Sequence, residues 1–325
     1  MNAMVHQRIR DSAQETRAGA LVTLSFRAMG TQCRVVHSAP PAVARAFREA
    51  ALDWVAAFES RYSRFLPDSL ISQINRAAGR DWVATDAETD RLLACCHEAH
   101  FLTRGVFDPT ALPLIQLWDW KQARTSVPSE ADIRATLQRV GWRKVQRTSG
   151  RVFLPEPGMC LDLGGIGKEY AVDCVARLAA EHGLPGAVVD FGQDVLAFGQ
   201  PPDGRPAWKI GLENPDAPGK IWTALAIKNR AVATSGDYLR HFEIGGRRYG
   251  HILDVRTGWP VNNGCRAVSV VGPNCTLAGL LSTAAFILGP AEGLKLIESH
   301  FQAEGCLVME KQKLTTRRFH EYVTR

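Results

Sequence analysis

The sequence predicts an α+β fold, in which helices and strands occupy different parts of the chain. Between positions 42 and 140, apolar side chains recur at the spacing of amphipathic helices, whereas short strand-like segments dominate after position 150. Such segregation is typical of α+β proteins, because a parallel α/β sheet requires regular alternation of the two elements. With 46% hydrophobic and 22% charged residues, the chain has the composition of a globular protein rather than a disordered or fibrous one.

The first 150 residues predict a hairpin followed by four helices. Residues 21–37 alternate loosely between apolar and polar side chains and break at Met29-Gly30-Thr31, as two strands joined by a turn would. The helices are predicted from apolar periodicity and from possible N-cap residues at Asp68, Asp86 and Ser129. They cover residues 42–64, a short segment after Asp68, residues 86–103 and residues 129–141.

The remainder of the chain predicts short strands interspersed with three helices. The strand-like segments are 151–163, 186–199, 208–213, 221–228, 242–253, 267–271 and 306–309. The helices are predicted at 167–182, 275–288 and 292–300. Within 242–253, the pair Gly245-Gly246 is typical of a two-residue hairpin turn.

The first 20 residues are polar and predict a loose N-terminal leader, with residues 21–325 forming one intertwined domain. The leader has neither the apolar segment of a secretory signal nor a lipobox, and no stretch approaches the roughly 18 apolar residues of a membrane span. Eight cysteines without a CxxC pair predict reduced thiols in such a chain. We therefore expect a cytoplasmic protein with no membrane span.

The net charge excludes little but favours small ligands over nucleic acid. The formal charge is +6, and the basic residues are scattered rather than clustered. A dedicated nucleic-acid surface requires a basic patch or stripe, so none is expected. A small ligand that carries phosphate groups is compatible with this charge.

Two motifs in the middle of the chain could bind such a ligand. In the segment 105–110, Asp108 precedes a proline and can direct its carboxylate from a rigid turn. In the segment 161–170, a strand leads through Gly164-Gly165 into a helix with Lys168 in its first turn, and helix N-termini bind phosphate. Each also has a purely structural interpretation, as a helix-ending turn and as a tight strand-to-helix turn with a solvated lysine.

Two further motifs could contribute a base and oxygen ligands. His251 and Asp254 follow a TSGDY segment at 234–238, and a histidine there could act as a general base near neutral pH. Gly279, Ser282 and Thr283 share one helix face by their spacing. Alone, the first could be a surface turn, and the two hydroxyls could simply bond a carbonyl one turn earlier in the helix.

Taken together in order, these motifs resemble the FAD:protein FMN transferase family, called ApbE. The resemblance extends over about residues 24–310 and rests on six segments. They are MGT (29–31), FDPT (107–110), DLGGIGK (162–168), TSGDY (234–238), HILD with the following TG (251–258) and LSTAAFILG (281–289). It implies an α+β architecture related to the T-fold, with FAD bound in a cleft between two lobes. It also implies an enzyme that uses Mg²⁺ to cleave the FAD pyrophosphate, transfers FMN to a Thr or Ser hydroxyl of an acceptor protein and releases AMP.

The resemblance assigns expected roles to individual residues. Met29 is expected to contact the flavin, Phe65 to stack on FAD, and His251 to act as the base that deprotonates the acceptor hydroxyl. The remaining residues expected to bind FAD are Val106, Phe107, Asp108, Asp162, Lys168 and Leu253.

The expected Mg²⁺ ligands are the backbone carbonyl of Gly165 and the side chains of Ser282 and Thr283. One departure affects this site, because the family has an aspartate where this chain has Gly279. Asp254 or a water molecule could substitute for it. Two main hypotheses follow: a transferase with weakened Mg²⁺ affinity, or a relative that binds FAD or FMN without transferring it. A FAD diphosphatase that releases FMN and AMP is a third, which requires the same metal site.

Overall fold

The computed structural model describes residues 2–122 and 125–324, and its elements confirm the α+β class. The α-helices of this part of the chain are α1 (Ala3–Asp11), α2 (Pro41–Tyr62), α3 (Leu70–Ala77), α4 (Ala87–Leu102), α5 (Leu112–Trp118), α6 (Glu130–Leu137), α7 (Gly167–Glu181) and α8 (Cys275–Glu298). The first nine strands are β1 (Gln14–Ala18), β2 (Leu21–Ala28), β3 (Thr31–His37), β4 (Val83–Ala84), β5 (Gln146–Thr148), β6 (Arg151–Phe153), β7 (Gly186–Phe191), β8 (Asp194–Gly199) and β9 (Trp208–Asn214). The others are β10 (Ala217–Ile227), β11 (Arg230–Gly236), β12 (His241–Ile244), β13 (Arg247–Gly250), β14 (Leu253–Asp254), β15 (Trp259–Pro260), β16 (Cys265–Gly272), β17 (Glu304–Met309) and β18 (Lys313–Thr315).

A nine-stranded antiparallel sheet organises the fold, in the order β1-β2-β3-β7-β8-β11-β16-β17-β18. Helices α7 and α8 pack against the sheet and against each other, and α2 packs on α7. Successive side chains of β11 point to opposite faces of the sheet, and both faces are covered. Ala231 and Ala233 face the main core under the helices, whereas Val232 belongs to a second cluster beneath the β9–β10 hairpin. The central strands are therefore buried on both faces.

A third apolar cluster lies between α5, α6 and the small hairpins β12–β13 and β14–β15. Trp118 is its centre, and its ring stacks near Tyr249 at 5.9 Å and contacts Trp259 at 5.2 Å. The indole N–H of Trp118 donates to the carbonyl of Gly258 at 2.7 Å, so its polar atom is satisfied although the side chain is buried. This cluster anchors the segment that contains His251 and Asp254.

Most predicted elements are present, but their limits differ where local chemistry intervenes. The hairpin at residues 29–30, the Asp86 N-cap and the Gly245-Gly246 turn are confirmed. The predicted strand at 151–163 is wrong beyond β6, because Pro155 and Pro157 have no N–H with which to continue a ladder. Helix α3 begins after Ser69 rather than Asp68, and α6 ends at Leu137 rather than near Gly141.

The expectation of a loose leader is wrong for the part of residues 1–20 that the structure describes. Residues 3–11 form α1, and residues 14–18 form β1 at the edge of the large sheet. Val5 and Ile9 lie one turn apart and are buried in the main core, while Arg10 pairs with Glu49 and Asp53 of α2. Two apolar residues at i, i+4 in an otherwise polar and charged segment predict a helix only weakly. The helix is stabilised here because Val5 and Ile9 pack into the main core next to α2.

Helix α8 covers the helix predicted at 275–288 and, as far as Glu298, the one predicted at 292–300. Gly289 is non-helical, with φ 78° and ψ −175°, and is followed by Pro290, so α8 consists of two helical segments that meet at a kink, as the two predicted helices require. By length and composition α8 could cross a membrane, with a mean hydropathy of 1.4, but 61% of that apolar stretch is buried inside the fold. The core helix of a soluble protein has the same properties.

The N-terminal helix is expected to contribute measurably to stability. Replacing Ile9 by alanine removes a fully buried side chain and should lower the free energy of unfolding by about 2–5 kcal/mol. Met4, which is 78% exposed on the same helix, is the matched control, and Met4→Ala should cost less than about 0.5 kcal/mol. Urea denaturation followed by circular dichroism measures both. Equal, small effects of the two substitutions would show that the segment is loose after all.

Candidate active site

The FDPT and DLGGIGK motifs lie side by side. The backbone N–H of Asp162 donates to the carbonyl of Pro109 at 2.8 Å, and the ring of Phe107 lies against Gly165, where a β-carbon would come within 3.0 Å of it. The Asp162 carboxylate accepts from the backbone N–H of Gly164 at 3.0 Å and pairs with Arg64 at 3.3 Å. Gly164 and Gly165 are exposed, so their backbone is open to a ligand just before α7 begins.

Lys168 connects this turn to the large sheet. Its ammonium group pairs with the carboxylate of Asp194, the first residue of β8, and lies 3.5 Å from Glu169. Asp194 is 5% exposed and also accepts from the backbone N–H of Thr234 at 3.3 Å. The lysine is therefore positioned by a buried carboxylate at the N-terminus of α7, where the helix dipole and the ammonium group both favour a bound anion.

The TSGDY motif meets α8 through hydroxyl groups. The Ser235 hydroxyl lies 2.8 Å from that of Ser282 and 2.8 Å from that of Thr283. The Ser282 hydroxyl also donates to the carbonyl of Gly279 at 2.9 Å, which is the back-bonding that the purely structural interpretation predicts. The three hydroxyls nevertheless form one cluster of oxygen atoms, at the junction between the end of β11 and α8.

His251 is a half-buried histidine whose surroundings favour the neutral imidazole. Burial, and secondarily the charge of Arg240, lowers the pKa of His251 from 6.5 to about 4. Its backbone N–H donates to the carbonyl of Arg240 at 3.0 Å, which fixes the backbone, and its Nδ1 has no hydrogen-bond partner in the described residues. An unprotonated imidazole with a free nitrogen can accept a proton, as a general base must.

An exposed series of aromatic and cationic side chains connects Phe65 to His251. Phe65 is 71% exposed, with the Arg64 guanidinium 4.3 Å from its ring. The Lys121 ammonium lies 5.8 Å from the Phe65 ring and 5.7 Å from that of Trp120, whose ring is 6.2 Å from that of His251. We call Phe65, Lys121 and Trp120 the aromatic ridge. Trp120 and Lys121 were not among the predicted site residues, although an adjacent aromatic and cationic residue in an otherwise polar loop was a possible signal.

Other predicted ligand-binding residues are engaged within the protein. The Asp108 carboxylate accepts from the backbone N–H groups of Thr110 and Trp142, both at 2.8 Å. Both oxygens of Asp254 are bonded to Arg256, at 2.9 and 2.8 Å, which favours a turn-stabilising role over the predicted role as a metal ligand.

The other predicted FAD contacts differ in accessibility. Val106 and Leu253 are buried, at 3% and 7% exposure. Met29 is half-buried in the β2–β3 turn with a φ of 51°, and its N–H donates to Glu59 at 2.9 Å.

Neither a conventional metal centre nor either of two surface cavities coincides with these motifs. Among residues 2–122 and 125–324, no group of three or more His, Cys, Asp or Glu side chains is placed to hold a metal ion. Two surface cavities of about 700 and 660 Å³ lie elsewhere, the first next to His100 and Trp142 and the second next to Arg230 and Tyr322. The candidate site is instead defined by the direct contacts among α7, β8, β11 and α8, with exposed backbone at Gly164 and Gly165.

Known proteins resemble this chain over most of its length. The ApbE family matches residues 29–307. A FAD:protein FMN transferase of Klebsiella pneumoniae is 32% identical over 250 residues, covering 76% of this chain and 77% of the relative. One of Treponema pallidum is 32% identical over 289 residues, with coverages of 83% and 79%. The crystal structure of the ApbE protein of Thermotoga maritima superimposes with a TM-score of 0.84 at 30% identity, covering 96% of this chain and all of that one. With a family match over most of its length, relatives above 30% identity and this shared fold, the chain belongs to the ApbE family.

Proposed function

We propose that the chain is a FAD:protein FMN transferase, which transfers FMN from FAD to a Thr or Ser hydroxyl of an acceptor protein and releases AMP. The relatives that match most of its length have this name. The observation that carries the proposal is a series of contacts between the motifs. Lys168 pairs with Asp194, which accepts from the backbone of Thr234 next to the hydroxyl cluster. On the other side, Arg64 connects Asp162 to the aromatic ridge, which reaches His251.

The anion-binding turn accommodates the pyrophosphate of FAD. Exposed backbone at Gly164 and Gly165, the N-terminus of α7 and the ammonium group of Lys168 supply donors and positive charge. The exposed ring of Phe65 offers a surface on which a flat ring system of FAD can stack. Met29, Val106, Phe107, Asp108, Asp162 and Leu253 complete the proposed FAD contacts.

His251 acts as the base in the proposed transfer. The acceptor hydroxyl gives its proton to the neutral imidazole while its oxygen bonds to the phosphorus of the FMN half. The bond from that phosphorus to the bridging oxygen breaks, and the bridging oxygen leaves as part of the AMP phosphate. A phosphate ester of FMN on the acceptor and AMP are the products, so no further reactant is required.

A divalent cation fits the oxygen-rich part of the surface. The carbonyl of Gly165 and the hydroxyls of Ser282 and Thr283 are the proposed ligands, and Mg²⁺ prefers such oxygen donors. Bound there, it would neutralise charge on the pyrophosphate as it is split. The chain has no carboxylate at position 279, and this one feature favours the alternative function, a FAD- or FMN-binding relative without transfer activity.

The proposed partners are a flavin-acceptor protein and no nucleic acid, and the proposed location is the cytoplasm. The scattered distribution of basic residues supports the exclusion of nucleic acid. The burial of most of the apolar stretch of α8 supports the proposal that the chain has no membrane span.

The transferase proposal is tested by incubating the purified protein with FAD and an acceptor peptide from a flavinylated protein, with and without Mg²⁺. Chromatography should show AMP and a peptide that carries covalent flavin, both dependent on Mg²⁺. FAD retained by the protein without AMP would support the non-catalytic alternative. AMP and free FMN without labelled peptide would indicate a diphosphatase.

Removal of the proposed base should lower turnover without weakening FAD binding. His251→Asn is expected to reduce kcat by about 10²–10⁴-fold, the usual contribution of a general base, with an unchanged Kd for FAD. His320→Asn alters an exposed histidine near the C-terminus and is the control. Equal activity of the two variants would exclude His251 as the base.

The acid limb of kcat/KM should lie well below the usual histidine range. Because burial lowers the pKa of His251 to about 4, the free enzyme keeps this imidazole unprotonated from neutral pH down to about pH 5. We expect a flat profile over that interval and a fall below it, with circular dichroism confirming that the protein stays folded. An apparent pKa near 6.5 would contradict the burial that the structure shows.

A further inference from the structure

Glu169 is a buried carboxylate with an oxygen atom that has no partner. The residue lies in the first turn of α7 and is 8% exposed. Its Oε1 lies 3.5 Å from the ammonium group of Lys168, whereas its Oε2 is buried and has no hydrogen-bond partner in the described residues. A buried carboxylate oxygen without a donor or cation costs free energy, so this atom is set up to accept one.

The glycine at position 279 makes room for this side chain. A β-carbon at Gly279 would lie 2.5 Å from Cγ and 3.3 Å from Oε1 of Glu169. The glutamate of α7 therefore occupies the volume into which a side chain from α8 would extend. Gly279 weakens its helix by up to about 1 kcal/mol relative to alanine, and the close approach of Glu169 gives a physical reason for it.

Side-chain and backbone oxygens lie on the same helix face as Gly279, against which Glu169 packs. Ser282 and Thr283 follow Gly279 at i+3 and i+4, so they share its face of α8, and the Ser235 hydroxyl joins the two. The carbonyl of Gly165 precedes α7 on the same turn. A carboxylate, hydroxyls and a backbone carbonyl are the ligands that a hard divalent cation takes.

The other carboxylates nearby are already engaged. Asp173 accepts from the backbone N–H groups of Cys275 and Thr276 at 2.7 and 2.9 Å and so caps α8. Asp194 pairs with Lys168 and accepts from the backbone of Thr234. Among these three carboxylates, Glu169 is the one with an unpaired, buried oxygen.

We propose that Glu169 supplies the carboxylate ligand of the divalent cation in this chain, and that Gly279 is small in order to admit it. The inference rests on the proposed function, because it completes the cation site of the transferase. In this arrangement the carboxylate ligand comes from Glu169 on α7 instead of position 279 on α8, and the site still has one carboxylate together with hydroxyl and carbonyl oxygens. An aspartate added at position 279 alone would then collide with Glu169 and add a second negative charge beside it.

The proposal is tested by direct binding of Mn²⁺, a spectroscopic substitute for Mg²⁺, to the FAD-saturated protein without acceptor. Electron paramagnetic resonance measures free Mn²⁺ during the titration, and free FAD at the same concentration gives the background. Flavin fluorescence in EDTA first shows that each variant still binds FAD. Glu169→Gln should weaken Mn²⁺ binding at least about tenfold, which is the lower limit for disturbing even an outer partner of a metal site.

Matched variants separate the proposed role from a structural one. Glu181→Gln, at the exposed last turn of the same helix, should bind Mn²⁺ as the wild type does. Gly279→Asp alone should not improve binding, whereas the double variant E169G/G279D should restore it to within about threefold of wild type. Wild-type affinity in Glu169→Gln, or an absence of Mn²⁺ binding in the wild type, would overturn the inference.

The transferase assay distinguishes failure of this inference from failure of the proposed function. Labelled acceptor peptide from the wild type together with unchanged Mn²⁺ affinity in Glu169→Gln would retain the function and reject the ligand. If Glu169→Gln loses Mn²⁺ binding but the wild type labels no peptide, Glu169 remains the proposed cation ligand and the transferase function is rejected.

Discussion

The ion pair between Lys168 and Asp194 holds the candidate site together. It connects the first turn of α7 to the first residue of β8, in a position where the carboxylate is almost fully buried. Removing one member of a buried ion pair strongly destabilises the protein, because the charge of the other member is left buried without an opposite charge. Since Asp194 also accepts from the backbone of β11, the pair sets how the Gly164-Gly165 turn lies relative to the strand that carries Ser235.

The neighbouring helices α7 and α8 share one volume between positions 169 and 279. A large side chain at one position requires a small one at the other, because a β-carbon at Gly279 would overlap the Glu169 side chain. The glycine at position 279, which is unfavourable in a helix interior when considered alone, is therefore explained by the packing of Glu169 against it. Residues with a low propensity for their own secondary structure are often found at functional sites. Gly279, in the interior of α8 and beside the proposed cation site, is such a residue.

Much of the fold and part of the site follow from local patterns. The β2–β3 turn, the Asp86 cap and the order of motifs depend on short stretches of sequence, and the structure contains the turn and the cap. The folded state of residues 3–18, the aromatic ridge and the lowered pKa of His251 were not predictable in this way. Each depends on contacts between segments far apart in the chain, such as Ile9 with the main core or Trp120 with His251.

The sequence by itself determined the α+β class, the family and the residue types available for chemistry. Those properties depend on periodicity, turn residues and the order of motifs, which can be read from the sequence without knowing how the chain packs. Only the tertiary structure decided which carboxylates are free and which are engaged. Asp108, Asp173 and Asp254 satisfy backbone groups or an arginine, while Glu169 retains a buried oxygen with no partner among the described residues. The physical reason is that the availability of a charged group depends on its neighbours in space, and α7 and α8 meet only when the chain is folded.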